Sequence, residues 1–200
     1  GSTTTDLIPL RDGRPSPQGG TDVERLLSGE LVYSGFRRTP VCAVAPDVPL
    51  RGSRCPLAAE WFATMLDVYL MLGWLSEDPS DAGTANGRPA TVACAHDRLA
   101  RSVCCDRTEL SLVEARAVSE FLARRQMQQI SLALEHLSNR CEGPFGTVIV
   151  SGTGEFLAHR LLELCPATRG CRVVSLAEIL SPEIADSACA YAVAVLAASG

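Results

Sequence analysis

Gly1-Ser2-Thr3-Thr4-Thr5-Asp6-Leu7-Ile8 is the stretch on which the reading of this chain turns. A glycine, four consecutive hydroxyl side chains and a carboxylate lead into an apolar pair. Glycine permits a tight turn, backbone N–H groups and hydroxyls can be aimed at phosphate oxygens, and a carboxylate can hold a metal-bound water. The run reads as a phosphate-handling loop, with Gly1, Ser2, Thr3, Thr4 and Thr5 as phosphate contacts. Asp6 is its candidate catalytic carboxylate, and Mg2+, held by Asp6 through water, is the metal such a loop could use. The competing reading makes Gly1-Ser2 an expression scar and Thr3 to Thr5 a polar terminus.

Composition narrows the classes. The chain has 200 residues, 46% of them hydrophobic and 20% charged. A chain of this size buries about 70% of its unfolded surface, so a single domain over residues 1–200 is the default expectation. The net charge of -5 and the absence of any arginine cluster beyond Arg37-Arg38 and Arg124-Arg125 speak against a nucleic-acid partner. Neither a membrane span nor a signal peptide is readable, which points to the cytoplasm. All 18 basic residues are arginine, which removes a P-loop lysine, a lysine base and the Schiff-base lysine that pyridoxal phosphate (PLP) requires. The nine cysteines contain no C-x-x-C, and the three histidines, His96, His136 and His159, are far apart. Zinc is not expected, nor is haem, and the cysteines read as small reduced core residues.

Periodicity and punctuation organise the rest. Leu7 to Leu10 and Leu31 to Tyr33 read as short strands, with a helical turn near Glu24 to Leu27. Pro56 can open a helix, and Leu57 to Leu72 reads as one buried helix with a polar stripe at Glu60, Thr64 and Asp67. Glu60 and Asp67 are candidates for Mg2+ binding through water or for a general base, or else for buried pairs with Arg38, Arg88 or Arg98. A polar loop over residues 76–88 precedes a helix from Thr91 to Cys104. Ser111-Leu112-Val113-Glu114 is a capping box opening a long helix toward Ser138. Gly146 to Val150 reads as a buried strand running into Ser151-Gly152-Thr153-Gly154 and a helix from Glu155 to Leu164. Cys171 to Ser175 is another strand, and Pro182 to Ala198 a closing helix. The strand, turn and helix N-terminus make Gly152, Thr153 and Gly154 candidate phosphate contacts. Leu157 stands where a dinucleotide fingerprint needs its third glycine, so NAD is not expected.

Several blocks carry a resemblance. Gly-x-Thr-[Ser/Thr]-Thr-Asp followed by apolar residues, as at Gly1 to Ile8, resembles the signature of the hydantoinase/oxoprolinase family. Gly29-Glu30-Leu31-Val32-Tyr33-Ser34-Gly35-Phe36-Arg37-Arg38-Thr39-Pro40-Val41 is similar to the branch linked to tetrahydromethanopterin-dependent C1 transfer. The similarity continues through residues 55–64, 86–91 and 97–101 and ends at Ser151 to Leu157. It implies an α/β fold, an actin-like (ribonuclease H-like) ATPase-type domain with additional helices. The extra helices would form an insertion over about residues 56–140. It also implies that the chain is the C-terminal half of a two-domain protein, with a missing N-terminal domain as its partner. Glu30 becomes a candidate catalytic carboxylate and Arg38 a candidate phosphate ligand, because they flank a glycine turn in the most specific block. The branch implies an alkyl/aryl transferase that joins a furanmethyl diphosphate to a tyramine phenol and releases pyrophosphate. That reaction asks for Mg2+ on the departing phosphates and a carboxylate for the phenolic proton. The alternatives are an ATP-dependent cyclic-amide hydrolase, in which the same loop holds nucleotide phosphates, and a non-catalytic scaffold.

Overall fold

The computed structural model describes residues 1–141 and 143–198. The chain is mixed α/β. In order, its first elements are β1 (Thr5–Asp6), β2 (Leu10–Arg11), β3 (Arg14–Pro15), α1 (Asp22–Ser28), β4 (Leu31–Val32), α2 (Val41–Val44), β5 (Asp47–Leu50) and β6 (Ser53–Pro56). Then follow α3 (Met65–Leu72), α4 (Val92–Ser102), α5 (Leu112–Arg140), β7 (Thr147–Val150), α6 (Glu155–Leu164), β8 (Arg172–Ser175), α7 (Leu176–Ile179), α8 (Pro182–Asp186) and α9 (Ala188–Ala198). Two compact units result. One holds Gly1, Asp6–Val32 and the chain from Ile130 onward, and the other holds Ser2–Thr5 and Tyr33–Gln129.

In the first unit, β2 and β3 form a hairpin across Asp12-Gly13, both at positive φ, the backbone a two-residue turn of matching twist requires. Helix α1 starts at a capping box between Thr21 and Glu24 and ends at Gly29 in the left-handed region. Strands β7 and β8 pair in parallel, Val148 opposite Val173, and α6 forms the connection that parallel strands need. The expected closing helix is two helices, α8 and α9, broken at Ser187. Ser181 and Pro182 start α8, but Ser187 leaves the helical path before the apolar run begins. Among the described residues no helix is long and apolar enough to cross a membrane.

In the second unit, β5 and β6 are antiparallel, with Asp47 opposite Pro56. That pairing corrects one expectation. Pro56 closes a strand instead of opening a helix, and the expected helix over Leu57 to Leu72 begins only at Met65. Thr64 is its N-cap, and Asp67 accepts the Thr64 N–H at 3.0 Å, a start signal that was present in Thr64-x-x-Asp67. The stripe through Glu60, Thr64 and Asp67 therefore does not exist: Glu60 is exposed in the bend before the cap. Every residue of α3 is buried. At roughly 1.5–3 kcal/mol for each large apolar side chain, this short helix supplies much of the unit's cohesion.

Its one carboxylate is neutralised locally. Arg98 of α4 donates from Nε to Asp67 Oδ1 at 2.7 Å and holds Nη2 2.6 Å from the same oxygen, both side chains being about 1% exposed. Burial pushes the Asp67 carboxyl up, and Arg98 and the Thr64 N–H pull against it. Arg98 Nη1 also donates to Asn86 Oδ1 at 3.2 Å, which fastens the polar loop to the helix pair. The blocks at residues 86–91 and 97–101 are thus load paths for the fold. The cysteines also depart from expectation: all nine are free thiols, but only Cys94 and Cys165 are buried, because most lie at element ends that face water.

Removing one partner of such a pair strands a buried charge. Asp67→Leu or Arg98→Met is expected to lower stability by about 3–5 kcal/mol in urea unfolding, whereas the two combined cost less than the two single changes added. Strict additivity would show that the two side chains are not coupled.

Candidate functional site

The hydroxyl run is docked, not frayed. In the second unit, Ser2 O accepts the N–H groups of Arg37 at 3.2 Å and Arg38 at 2.9 Å, and Thr5 Oγ1 donates to Ser34 O at 2.8 Å. The two backbones approach so closely that a Cβ at Gly35 would lie 2.5 Å from Ser2 C and from Thr3 N. Only glycine fits there, because the clashing atoms are backbone and cannot swing away. The docking leaves Ser2, Thr3, Thr4 and Thr5 half-buried.

The same contact brings Arg38 to the run. Its backbone is engaged by Ser2 while its side chain is exposed and, among the described residues, has no partner. Arg37, by contrast, is committed to Asp81, 2.7 Å from Oδ1. The Asp81 hydrogen bonds to Arg37 and the Gly83 N–H hold its carboxyl below the usual aspartate range. Residues 60–64 run beside this segment: Val41 N–H donates to Ala63 O at 3.0 Å, and Met65 N–H to Thr39 O at 2.9 Å. Glu60 lies at the head of that stretch, its own carbonyl accepting the Cys42 thiol at 3.6 Å, and its exposed carboxylate is unpaired among the described residues.

Glu30 and Asp6 belong to the first unit and are differently employed. Glu30 is fully buried. Its oxygens accept the Gln18 N–H at 2.8 Å and the Gly19 N–H at 3.1 Å, and it pairs with Arg140, which also donates to Ser28 O. Burial works to raise its carboxyl, but those N–H groups, Ser28 and Arg140 prevail and hold it below the usual glutamate range. Asp6 forms an exposed ion pair with Arg25 at 2.8 Å. Among the described residues no group of three or more His, Cys, Asp or Glu is arranged to hold a metal.

Gly152, Thr153 and Gly154 also lie in the first unit, between β7 and α6. Gly152 has φ +96, and a Cβ there would meet nothing within 4 Å, so the space above the turn is open. The helix start already carries an anion, however: Glu155 stands in the first turn of α6 and accepts Ser175 Oγ at 2.7 Å.

Residues 1–198 match the profile described as Hydantoinase/oxoprolinase. The chain belongs to the hydantoinase/oxoprolinase family. It is 28% identical over 196 residues to the (4-{4-[2-(gamma-L-glutamylamino)ethyl]phenoxymethyl}furan-2-yl)methanamine synthase of Methanocaldococcus jannaschii, covering 98% of this chain and 57% of that protein. It is 26% identical over 198 residues to the synthase of the same name from Methanococcus vannielii, covering 98% of this chain and 87% of that protein.

The block at residues 29–41 of this hydantoinase/oxoprolinase chain does structural work at two of its residues, Glu30 and Gly35. The exposure of Arg38 and Glu60 was not readable from residue types. Gln126, a polar residue on the apolar stripe that includes Leu122 and Ile130, was missed in sequence, although its spacing on α5 marks it as buried.

Gly35→Ala is expected to expel the Ser2–Thr5 run, seen as faster hydrogen exchange at the Arg37 and Arg38 amides; unchanged exchange there would mean that the close approach is not maintained in solution. For Glu30, a depressed folded-state value contributes stability that is complete above about pH 4.3, the ordinary glutamate value, and is lost as pH falls through the folded value. Glu30→Gln should therefore flatten the fall in stability below pH 4. At neutral pH it should cost about 2 kcal/mol, less than for a fully enclosed pair because Arg140 is partly open to water.

Proposed function

We propose that the chain carries the diphosphate-handling part of an ether-forming transferase of methanofuran-type cofactor synthesis, built on an actin-like domain. The observation that carries this reading is the docked hydroxyl run, whose Ser2 O engages the backbone of Arg38, a residue with an exposed guanidinium that has no partner among the described residues. The archaeal relatives supply the chemistry: the product in their name contains a phenoxymethyl-furan ether.

That ether forms when the bond between the furan-bearing carbon and the diphosphate oxygen breaks, its electron pair leaving with pyrophosphate. The phenol oxygen then donates a pair to the furanmethyl cation, and the phenolic proton passes to a carboxylate. Backbone N–H groups, hydroxyls and a guanidinium stabilise the departing charge, each charge-assisted hydrogen bond contributing about 1.5–3 kcal/mol. Ser2, Thr3, Thr4, Thr5 and Arg38 take that role. Glu60, exposed and without a side-chain partner among the described residues, is the carboxylate for the proton, and Glu30, with both oxygens occupied, supports the loop that follows β3. Mg2+, where the reaction uses it, would be held mainly by the diphosphate oxygens and water and would supply charge neutralisation for the departing group.

The test is pyrophosphate release from a furanmethyl diphosphate and a tyramine derivative, using the gene product that carries these residues. Arg38→Ala and Thr4→Ala should each lower release about ten- to a hundredfold with little change in Tm. Unchanged release per folded molecule contradicts the assignment, and ADP formation from ATP with a cyclic amide would instead make the protein a hydrolase.

A further inference from the structure

Gln126 lies at the centre of a buried polar relay that ends at the hydroxyl run. The side chain is 0% exposed on α5. Its Nε2 donates to Ser34 Oγ at 2.8 Å and to Gly35 O at 2.9 Å, and its Oε1 accepts the Tyr69 hydroxyl. Tyr69 is itself fully buried on α3 and stacks on Trp74 with centroids 5.4 Å apart. The Gly35 N–H donates to Thr39 Oγ1 at 2.8 Å, and Ser34 O accepts Thr5 Oγ1. Every polar group of the Ser34–Gly35 turn that these contacts involve is therefore engaged, two of them by one amide.

The relay has a direction. A phenol in an apolar core stays protonated, and burial pushes Tyr69 well above its usual range, so it must donate. Its donation fixes Gln126 Oε1 toward α3 and leaves Nε2 facing the turn, where Gly35 O can only accept. A glutamine turned the other way would set carbonyl against carbonyl. The turn so held is the surface on which Ser2 and Thr3 rest without room for a methyl group.

We propose that Gln126, oriented by Tyr69, is a positioning residue for phosphate recognition: it sets the Ser34–Gly35 turn at the depth that docks Ser2–Thr5 beside Arg38. This rests on the reading of that run as the diphosphate site. Neither residue touches the ligand, and neither lies in a block that resembled the family.

The test measures hydrogen exchange at the Arg37 and Arg38 amides, and the affinity for inorganic pyrophosphate with Mg2+, in wild type, Gln126→Met, Tyr69→Phe and the double variant. Gln126→Met should speed exchange at both amides by about tenfold or more and weaken pyrophosphate by a similar factor, while Leu70 and Leu99 amides keep their protection. Tyr69→Phe, which preserves volume, should have a smaller effect of the same kind that disappears in the Gln126→Met background. If Arg37 and Arg38 lose protection only in step with Leu70 and Leu99, the relay is ordinary core and the proposal is overturned. Undocking without any loss of pyrophosphate affinity overturns its role in recognition. A wild type that does not bind pyrophosphate removes the diphosphate reading, and the exchange data then decide the docking role separately.

Discussion

The backbone of Gly35 meets that of Ser2 and Thr3 at a distance that excludes even a methyl group, and the second unit is arranged to keep it there. Ser34 and Gly35 are held from below by Gln126, and from within the turn by Thr39. On the outer side, Ser2 O and Thr5 Oγ1 complete the backbone hydrogen bonds of the same segment. A run of four hydroxyls has little apolar surface to bury, so it stays in place by satisfying polar groups of its neighbour.

Burial separates the acidic residues by role. Asp67 and Glu30 lie out of water, and each is tied to an arginine and to backbone N–H groups. A carboxylate so enclosed gains its stability from fixed partners and is shielded from solvent. Glu60 and Asp6 are exposed, Asp6 held by Arg25 and Glu60 without a side-chain partner among the described residues. Arg37 and Arg38 divide in the same way: adjacent in sequence, one is spent on Asp81 and the other is free to meet an anion.

Much of the fold was legible because its signals are local. The Ser111–Glu114 capping box does open α5, Thr91 does cap α4, and the β7–α6–β8 unit follows the apolar runs and glycines that announced it, although β7, expected to be buried, is buried only at Val150. The stretch from Pro56 to Thr64 was misread because apolar spacing there suits a helix, while the pairing of Pro56 with Asp47 across a hairpin is a non-local fact. The break at Ser187 was missed for a related reason: an alanine-rich run reads as continuous helix. The candidate site was legible as a set of residue types, and the grouping of Ser2–Thr5 with Arg38 follows from backbone contacts that no spacing rule contains. Glu30 looked catalytic because it flanks a glycine turn, and the burial that gives it a structural task depends on Arg140, 110 positions away.

The most direct measurement is amide and guanidinium NMR of the labelled 200-residue chain during titration with Mg2+-pyrophosphate. The account predicts saturable shifts centred on the Thr3, Thr4 and Thr5 amides and on the Arg38 Nε–H, with Arg37 Nε and the buried Arg98 Nε unmoved. Shifts that bypass the hydroxyl run, or no saturable shift at any of these groups, would contradict it.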